Sequence, residues 1–192
     1  AVGQPFNVVL QSQDAGLAPA NVVAATTVQL GVSAGSGSLG GATSCVISAA
    51  SNTCTVTGVT YSKAEAGVLL SATRTAGDTL AAGTSAAFTV NRGPQTLTFN
   101  PPASLGAGSG AVTLVASSPA SGAASFALGA VSPAGACTLA GTSLTPIAAG
   151  TCDVTANHPG DGNYLAASSV TRTIAITATR PVSFLVTLTK DG

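Results

Sequence analysis

Alternation of apolar and polar residues with a period of two runs through almost the whole chain. Phe6, Val8 and Leu10 alternate with their neighbours near the start, and 170–176 forms a comparable cluster near the end. Successive side chains of a strand point to opposite faces, so this pattern predicts half-buried β-strands. No segment of helical length carries apolar residues three and four apart without Gly or Pro interrupting it. The sequence therefore predicts an all-β fold.

The predicted strands are short, and clusters of Gly, Ser and Pro separate them at nearly regular intervals. The turn-rich segment 91–94 forms a joint, after which the strand pattern starts again. Short, evenly spaced strands of this kind are typical of β-sandwiches, and 192 residues suffice for two of about 90 residues each. We therefore predict two tandem sandwiches, at residues 1–91 and 92–178, followed by a linker and terminal strand at 179–192.

The four cysteines fall into two local pairs, one in each predicted sandwich. Four cysteines allow three connectivities, and we predict Cys45 with Cys54 and Cys137 with Cys152, because each pair can lie on adjacent strands of one hairpin. Neither spacing suits a zinc site, which needs closely spaced Cys and His ligands. Disulfides persist only outside the reducing cytosol, so the pairs indicate a secreted, periplasmic or cell-surface protein.

The chain carries very little charge. Charged residues make up 6% of it, against a usual share of about 25%, and six basic side chains balance six acidic ones. This balance excludes a nucleic-acid groove whose affinity comes from releasing counterions. Gly, Ser and Thr interrupt every apolar cluster before it reaches about 18 residues, so we expect no insertion into a membrane. Weak repulsion between copies tolerates their close association.

The sequence gives little support for catalytic activity. His158 is the only histidine, and no nucleophile motif such as G-x-S-x-G accompanies it, so we predict a solvated turn histidine. The six acidic residues are scattered, and no pair suggests the facing carboxylates of a glycosidase. We therefore predict a protein that is not an enzyme and that needs no cofactor.

Oxygen-bearing side chains gather near one predicted turn. Asp153, Asp161 and Asn163 are candidate calcium ligands, but they fall short of the six to eight oxygens that calcium takes. The alternative is an Asx-type turn in which Asp161 and Asn163 cap their own backbone, and we assign no metal site. Tyr164 is predicted to plug the core or to form a corner, with its hydroxyl satisfying a backbone group.

Lys63 and Glu65 lie close to the other tyrosine, Tyr61. We predict that the two charged residues form a solvated loop pair. An intramolecular isopeptide bond from Lys63, assisted by Glu65, is the alternative, and it would need both bonded partners to be buried together.

Both halves of the chain carry motifs that resemble bacterial immunoglobulin-like repeats, which occur in tandem in large surface and adhesin-type proteins. The motifs of the second half are Gln95–Phe99, Cys137–Leu139, Gly150–Ala156 and Gly160–Tyr164. Those of the first half are Gln11–Ala15, Gly58–Tyr61, Lys63–Glu65 and Ala72–Arg74. The resemblance covers residues 1 to about 178 and implies immunoglobulin-like sandwiches, export and a structural or adhesive role. It supplies no catalytic residues.

One further amphipathic strand follows the joint at 179–181. Its inward face is predicted to consist of Val182, Phe184, Val186 and Leu188. The segment 184–192 resembles the first strand of the internalin-type B-repeat. A lone strand exposes unpaired backbone groups, so we expect it to pair with an edge of its own domain or, by strand addition, with a neighbouring chain.

Together these features predict a non-enzymatic structural protein of the cell surface, either a stalk or the subunit of an extracellular fibre assembled head to tail by strand addition. The predicted partners are copies of itself or neighbouring domains of a longer surface protein. The alternative is an adhesin module that recognises glycan or protein through loops such as 35–41 or 159–164.

Overall fold

The structure is a computed structural model that describes residues 1–179, and it divides into two compact units. Unit 1 consists of Ala1–Gln95 and Gly160–Ala166, and unit 2 consists of Thr96–Pro159 with the described residues from Ala167 onward. The segment 160–166, which the sequence assigns to the second sandwich, thus packs with the first. The predicted terminal strand, with Val182, Phe184, Val186 and Leu188, lies outside the described residues.

Every regular element of residues 1–179 is a strand, which confirms the prediction of an all-β fold. Unit 1 contains β1 Phe6–Gln11, β2 Thr26–Ala34, β3 Leu39–Gly40, β4 Ser44–Ile47, β5 Thr53–Tyr61, β6 Glu65–Ala76, β7 Gly83–Thr84 and β8 Phe88–Val90. Unit 2 contains β9 Thr98–Phe99, β10 Ser104–Gly106, β11 Val112–Thr113, β12 Ala116–Ser117, β13 Ser125–Ser132, β14 Cys137–Ala140, β15 Ser143–Pro146, β16 Gly150–Asn157 and β17 Val170–Thr177. Within this part of the chain, no helix has the length and apolar character that crossing a membrane requires.

Unit 1 is a sandwich of two sheets. One sheet has the strand order β1-β5-β3 and the other β4-β2-β6-β7, with β8 also paired to β6. Leu30 from β2 packs with Val56 and Val59 from β5 in one buried cluster, so the two sheets face each other across the core. The strands alternate between an inward and an outward face, and burying the apolar face of each sheet drives their association.

A bulge in β5 interrupts the simple alternation that the sequence suggests. Phe6 pairs with Val59 and Val8 with Val56, so β5 uses one more residue than β1 over the same stretch. Gly58 has a φ of 73°, a conformation that other residues rarely adopt, and it supplies the extra position. The bulge turns Val59 inward although it is three residues from Val56, and both are at most 1% exposed.

Unit 2 is built on the same plan. Its sheets have the orders β10-β17-β16-β13 and β11-β15-β14, and β9 pairs with β12 in a short ladder. The core joins Leu144 of β15 to Val154 of β16 and Ile174 of β17, each with 0% exposure, so both larger sheets contribute to it. Strands β16 and β17 are antiparallel, whereas β10 runs parallel to β17.

The disulfides follow the predicted pairing but not the predicted placement. Cys45 is bonded to Cys54, with their Cα atoms 6.0 Å apart, and Cys137 to Cys152, with theirs 6.4 Å apart. The members of each pair lie in different sheets, because β4 pairs with β2 while β5 pairs with β1, and β14 pairs with β15 while β16 pairs with β13 and β17. The hairpin prediction is therefore wrong. Each disulfide clamps one sheet of a unit to the other.

Candidate functional site

A buried tyrosine and a largely covered carboxylate hold the loop at residues 35–38 of unit 1. Tyr61 ends β5 and is 1% exposed. Its hydroxyl donates to Glu65 Oε1 over 2.6 Å and accepts a hydrogen bond from the Gly37 N–H over 2.9 Å. The same Glu65 oxygen accepts from the N–H groups of Ser36 at 2.7 Å and Gly37 at 3.0 Å. The loop amides are thus satisfied from inside the unit.

These contacts lower the pKa of Glu65 and raise the pKa of Tyr61. Hydrogen bonds from Tyr61 and then from Ser36 lower the pKa of Glu65 to about 2. Burial raises the pKa of Tyr61, and its hydrogen bond to Glu65 raises it further. Near neutral pH the carboxylate is ionised and the phenol is protonated. A pair used for proton transfer needs a pKa near the working pH, so this arrangement suits a fixed structural contact.

The glycines of this loop are explained by the tyrosine ring. A Cβ added to Gly37 would lie 2.6 Å from Tyr61 Cε1, and one added to Gly35 would lie 2.4 Å from the Tyr61 hydroxyl. Real Cβ atoms do not approach other atoms so closely, so the loop can pass over the ring only where side chains are missing. In the loop at 35–41, which the sequence predicts as a binding loop, packing therefore explains Gly37, and packing together with a φ of 126° explains Gly35.

Lys63 and Glu65 do not form the fully solvated pair that the sequence predicts. The Lys63 side chain is 49% exposed, but that of Glu65 is only 20% exposed, and Lys63 Nζ lies 3.9 Å from Glu65 Oε2. The ammonium also contacts the Ser36 hydroxyl. Half of the Lys63 side chain faces solvent, which does not provide the burial that an isopeptide bond would need.

The turn at 160–166 is held by an Asx-type arrangement, as one of the two alternatives predicts. Asp161 Oδ1 accepts hydrogen bonds from the N–H groups of Asn163 at 2.7 Å and Tyr164 at 2.8 Å. Asn163 does not follow the prediction that it caps its own backbone, because its side-chain oxygen accepts from the Ala64 N–H at 2.9 Å. The carboxylate and amide of this turn therefore serve as internal acceptors.

Backbone contacts fix the same turn within unit 1. The Gly93 N–H donates to the Asn163 carbonyl at 2.8 Å, and the Leu165 N–H donates to the Gly93 carbonyl at 2.9 Å. The Tyr164 ring is half-buried against a cluster that includes Val2 and Tyr61. Tyr164 thus adds to the core, while the hydroxyl that satisfies a loop amide in unit 1 is that of Tyr61.

The third candidate calcium ligand lies in unit 2. Asp153 is on β16, and its Oδ1 accepts a hydrogen bond of 2.5 Å from the Thr173 hydroxyl on the neighbouring strand β17. Residues 1–179 contain no group of three or more His, Cys, Asp or Glu side chains that could hold a metal ion. Asp153 therefore acts as a cross-strand partner in its own sheet.

His158 is not the solvated residue that the sequence predicts. It is 4% exposed. The buried face of β16 is formed by Cys152, Val154 and Ala156, and continuing this alternation by two residues places His158 on the same inward face. The period of two was therefore the signal that could have predicted its burial. The neighbouring Pro159 instead suggested an exposed turn.

An opening lies on one side of unit 1, between β1 and β7, and we call it the edge cleft. These strands lie at the ends of the two facing sheets. The edge cleft consists of two cavities of about 340 and 250 Å³, and both are lined by Leu10, Ala72 and Gly83. The cleft depends on which strands become sheet edges, and no local sequence pattern indicates that.

The edge cleft has a mixed lining, and within residues 1–179 its apolar side chains from β1 are incompletely covered. The inward side chains of β1, from Phe6, Val8 and Leu10, are only half-buried, although Val56 and Val59 on the adjacent β5 are at most 1% exposed. At the rim, Val9 is 66% exposed and Leu17 is 75% exposed. The remaining lining is Gln11, Ser12, Gln13, Asp14, Val28, Leu30, Ile47, Leu70, Ser71, Arg74, Leu80, Ala81, Ala82, Thr84 and Ser85.

Comparison with known proteins identifies little similarity to this chain. No family model matches it, and none of the curated proteins with which it was compared matches either. Among solved structures, it is similar to the fibronectin(III)-like modules of CbhA from Clostridium thermocellum, with 13% sequence identity over 97% of this chain and 92% of that one. The TM-score is 0.33, which is too low to support an argument about function. The all-β architecture therefore rests on the strands and sheets described above.

Proposed function

We propose that this chain is a non-enzymatic structural protein of the cell exterior, acting as a stalk or as the subunit of an extracellular fibre. The observation that supports this most is the clamp between the two sheets of each unit, formed by Cys45 with Cys54 and by Cys137 with Cys152. On the chain-entropy model each bridge contributes about 2.5 to 3 kcal/mol. Such bonds persist in an oxidising compartment, which favours a secreted or cell-surface location.

The polar groups of the two units also fit a structural role. Glu65 and Asp161 in unit 1 and Asp153 in unit 2 each accept hydrogen bonds from their own unit. The amides of the loop at 35–38 are engaged in the same way, so they are not presented to a ligand. This weakens the alternative of an adhesin that binds through that loop.

Assembly is proposed to use the predicted terminal strand. Val182, Phe184, Val186 and Leu188 would form its apolar face. A strand that pairs with the next copy makes a head-to-tail contact, which extends into an open filament when the rotation between copies does not close a ring. Zero net charge allows copies to approach one another. The partners are then copies of this chain, or neighbouring domains of a longer surface protein.

The test is the state of association of the purified, oxidised chain over a wide range of concentrations. We expect light scattering and electron microscopy to show polymers of increasing length, and deletion of residues 180–192 to leave monomers. Undiminished fibres after the deletion would contradict the role of the terminal strand. A glycan array provides the control for the alternative, because glycan binding by a chain that stays monomeric would support an adhesin module instead.

A further inference from the structure

As far as residues 1–179 are concerned, the edge cleft leaves part of the core of unit 1 uncovered. Leu30 and Leu70 line the cleft from the sheet that faces β1, and they are 4% and 5% exposed. This side of the cleft is therefore well packed. The inward side chains of β1 itself are only half-buried. Within the described residues, the apolar side chains on the β1 side of the cleft are therefore only partly covered, and an added strand would cover them further.

The backbone of β1 is also available for pairing. Within residues 1–179, its only ladder is the antiparallel one with β5, from Phe6 with Val59 to Gln11 with Thr53. A strand of six residues with one unpaired edge offers a row of N–H and C=O groups to an incoming strand. The edge cleft thus combines an open hydrogen-bonding edge with neighbouring apolar side chains such as Val8, Leu10 and Leu70, and strand addition uses both features.

We infer that the edge cleft receives residues 182–189 of a second copy of this chain. The inference rests on the proposed function, and it adds the acceptor site to the donor strand. Thirteen residues, 180–192, follow the described part of the chain, and their apolar residues recur at every second position. When extended, the stretch from Val182 to Leu188 spans about 20 Å, close to the length of the six-residue β1.

Charged residues are few both in the lining of the edge cleft and in the terminal segment 180–192. The smaller cavity, along Val8–Gln11 and Gly83–Ser85, has no charged lining residue. In the larger cavity the charged lining residues are Asp14 and Arg74. The terminal segment is uncharged from Pro181 to Thr189 and carries charges only at its ends. It can therefore enter the smaller cavity without burying an unpaired charge, which would be costly.

The test uses one substitution in the edge cleft, which is the acceptor, and one in the terminal strand, which is the donor. Gly83 lines both cavities, is exposed, and has open space where a Cβ would point, so Gly83→Arg should fill the cleft without disturbing the fold. Phe184→Asp places a charge on the apolar face of the donor. Gly162→Arg is the matched control, because Gly162 is also an exposed glycine of unit 1 with open space around its Cβ.

Each variant is first shown to keep the wild-type circular dichroism spectrum and melting temperature, and its mass is then followed by light scattering. We expect Gly83→Arg and Phe184→Asp each to lose polymer formation completely, and Gly162→Arg to polymerise as the wild type does. An equimolar mixture of Gly83→Arg and Phe184→Asp should give a dimer and nothing longer, because it contains one intact cleft and one intact donor per pair.

The other outcomes are distinguishable. Normal polymers from Gly83→Arg, with none from Phe184→Asp, would overturn the edge cleft as acceptor while leaving the proposed strand-added fibre intact. A wild-type chain that stays monomeric at all concentrations would refute the fibre itself. Protection of β1 amides from hydrogen exchange in such a monomer, lost in Phe184→Asp, would show that the cleft holds the terminal strand of its own chain, which also overturns the inference.

Discussion

Replacing each disulfide by a pair of alanines should destabilise the two units to different extents. The bridges join residues 9 and 15 positions apart, which on the chain-entropy model contribute about 2.6 and 3 kcal/mol. Cys137 and Cys152 are 2% and 0% exposed in their core, whereas Cys45 and Cys54 are half-buried. Loss of the sulfur atoms therefore adds a larger cavity cost in unit 2. We expect the unit 2 pair to be the more damaging replacement.

The distribution of chromophores makes this difference measurable. The chain has no tryptophan and two tyrosines, Tyr61 and Tyr164, which both belong to unit 1. Tyrosine fluorescence therefore follows unit 1, while far-ultraviolet circular dichroism follows the strands of both units. In thermal unfolding, loss of the unit 1 bridge should lower the fluorescence midpoint by about 10–20 °C. Loss of the unit 2 bridge should lower the midpoint of the dichroism transition of unit 2 by more than this amount.

Reduced wild-type protein is the matched control, because it loses the cross-link but keeps the sulfur atoms. The difference between reduced wild type and the alanine pair then isolates the cavity, and it should be larger for Cys137 with Cys152 than for Cys45 with Cys54. The reasoning is refuted if reduction leaves both midpoints unchanged, or if the half-buried pair proves the more costly to replace.

Three further predictions concern single residues. Gly37→Ala should destabilise unit 1 by about 1–3 kcal/mol, because its Cβ would lie 2.6 Å from the Tyr61 ring, whereas Gly162→Ala should be nearly neutral in denaturant titration. The folded-state pKa of Glu65 is lowered to about 2, so the stability that it contributes is complete above its ordinary pKa of 4.5 and is lost as the pH falls toward 2. Glu65→Gln should remove that part of the acid dependence, and an unchanged slope would contradict the assignment. His158→Ala should cost about 1–3 kcal/mol in thermal melts, because the ring is 4% exposed, and a change within about 0.5 kcal/mol would indicate a surface position.

The strands were predictable because their signal is local. Phe6, Val8 and Leu10 alternate in the sequence, and the same three side chains point inward in β1. The pairing of the cysteines was also accessible, since Cys45 and Cys54 are close along the chain. Local alternation cannot reveal which strands pair, because the partner of each strand is chosen by contacts distant in sequence. This is why the bridges were expected within hairpins and are found between sheets.

The loops were harder to predict for a related reason. The glycines of residues 35–38 resemble those of any flexible loop, but both pass close to the ring of Tyr61, which lies more than twenty residues away in the sequence. The turn at 160–166 follows β16 of unit 2 but packs with unit 1, through contacts such as Asn163 with Ala64 at a separation of 99 residues. Sequence separation of this size hides a contact from any reasoning based on neighbouring residues.

The edges of unit 1 differ in how they are protected, and this bears on the proposed assembly. Natural sheets guard their edges with short strands, charges or covering segments, because an open edge invites pairing. The edge strands β3 and β7 have two residues each, and β4 is fixed to the opposite sheet by Cys45. In contrast, β1 has six residues, none of them charged or proline, and it borders the edge cleft. In a chain with only 6% charged residues there is little else to discourage pairing at this edge. Among the described residues, β1 thus combines an unpaired edge with partly covered apolar side chains, which is the arrangement that the proposed strand addition requires.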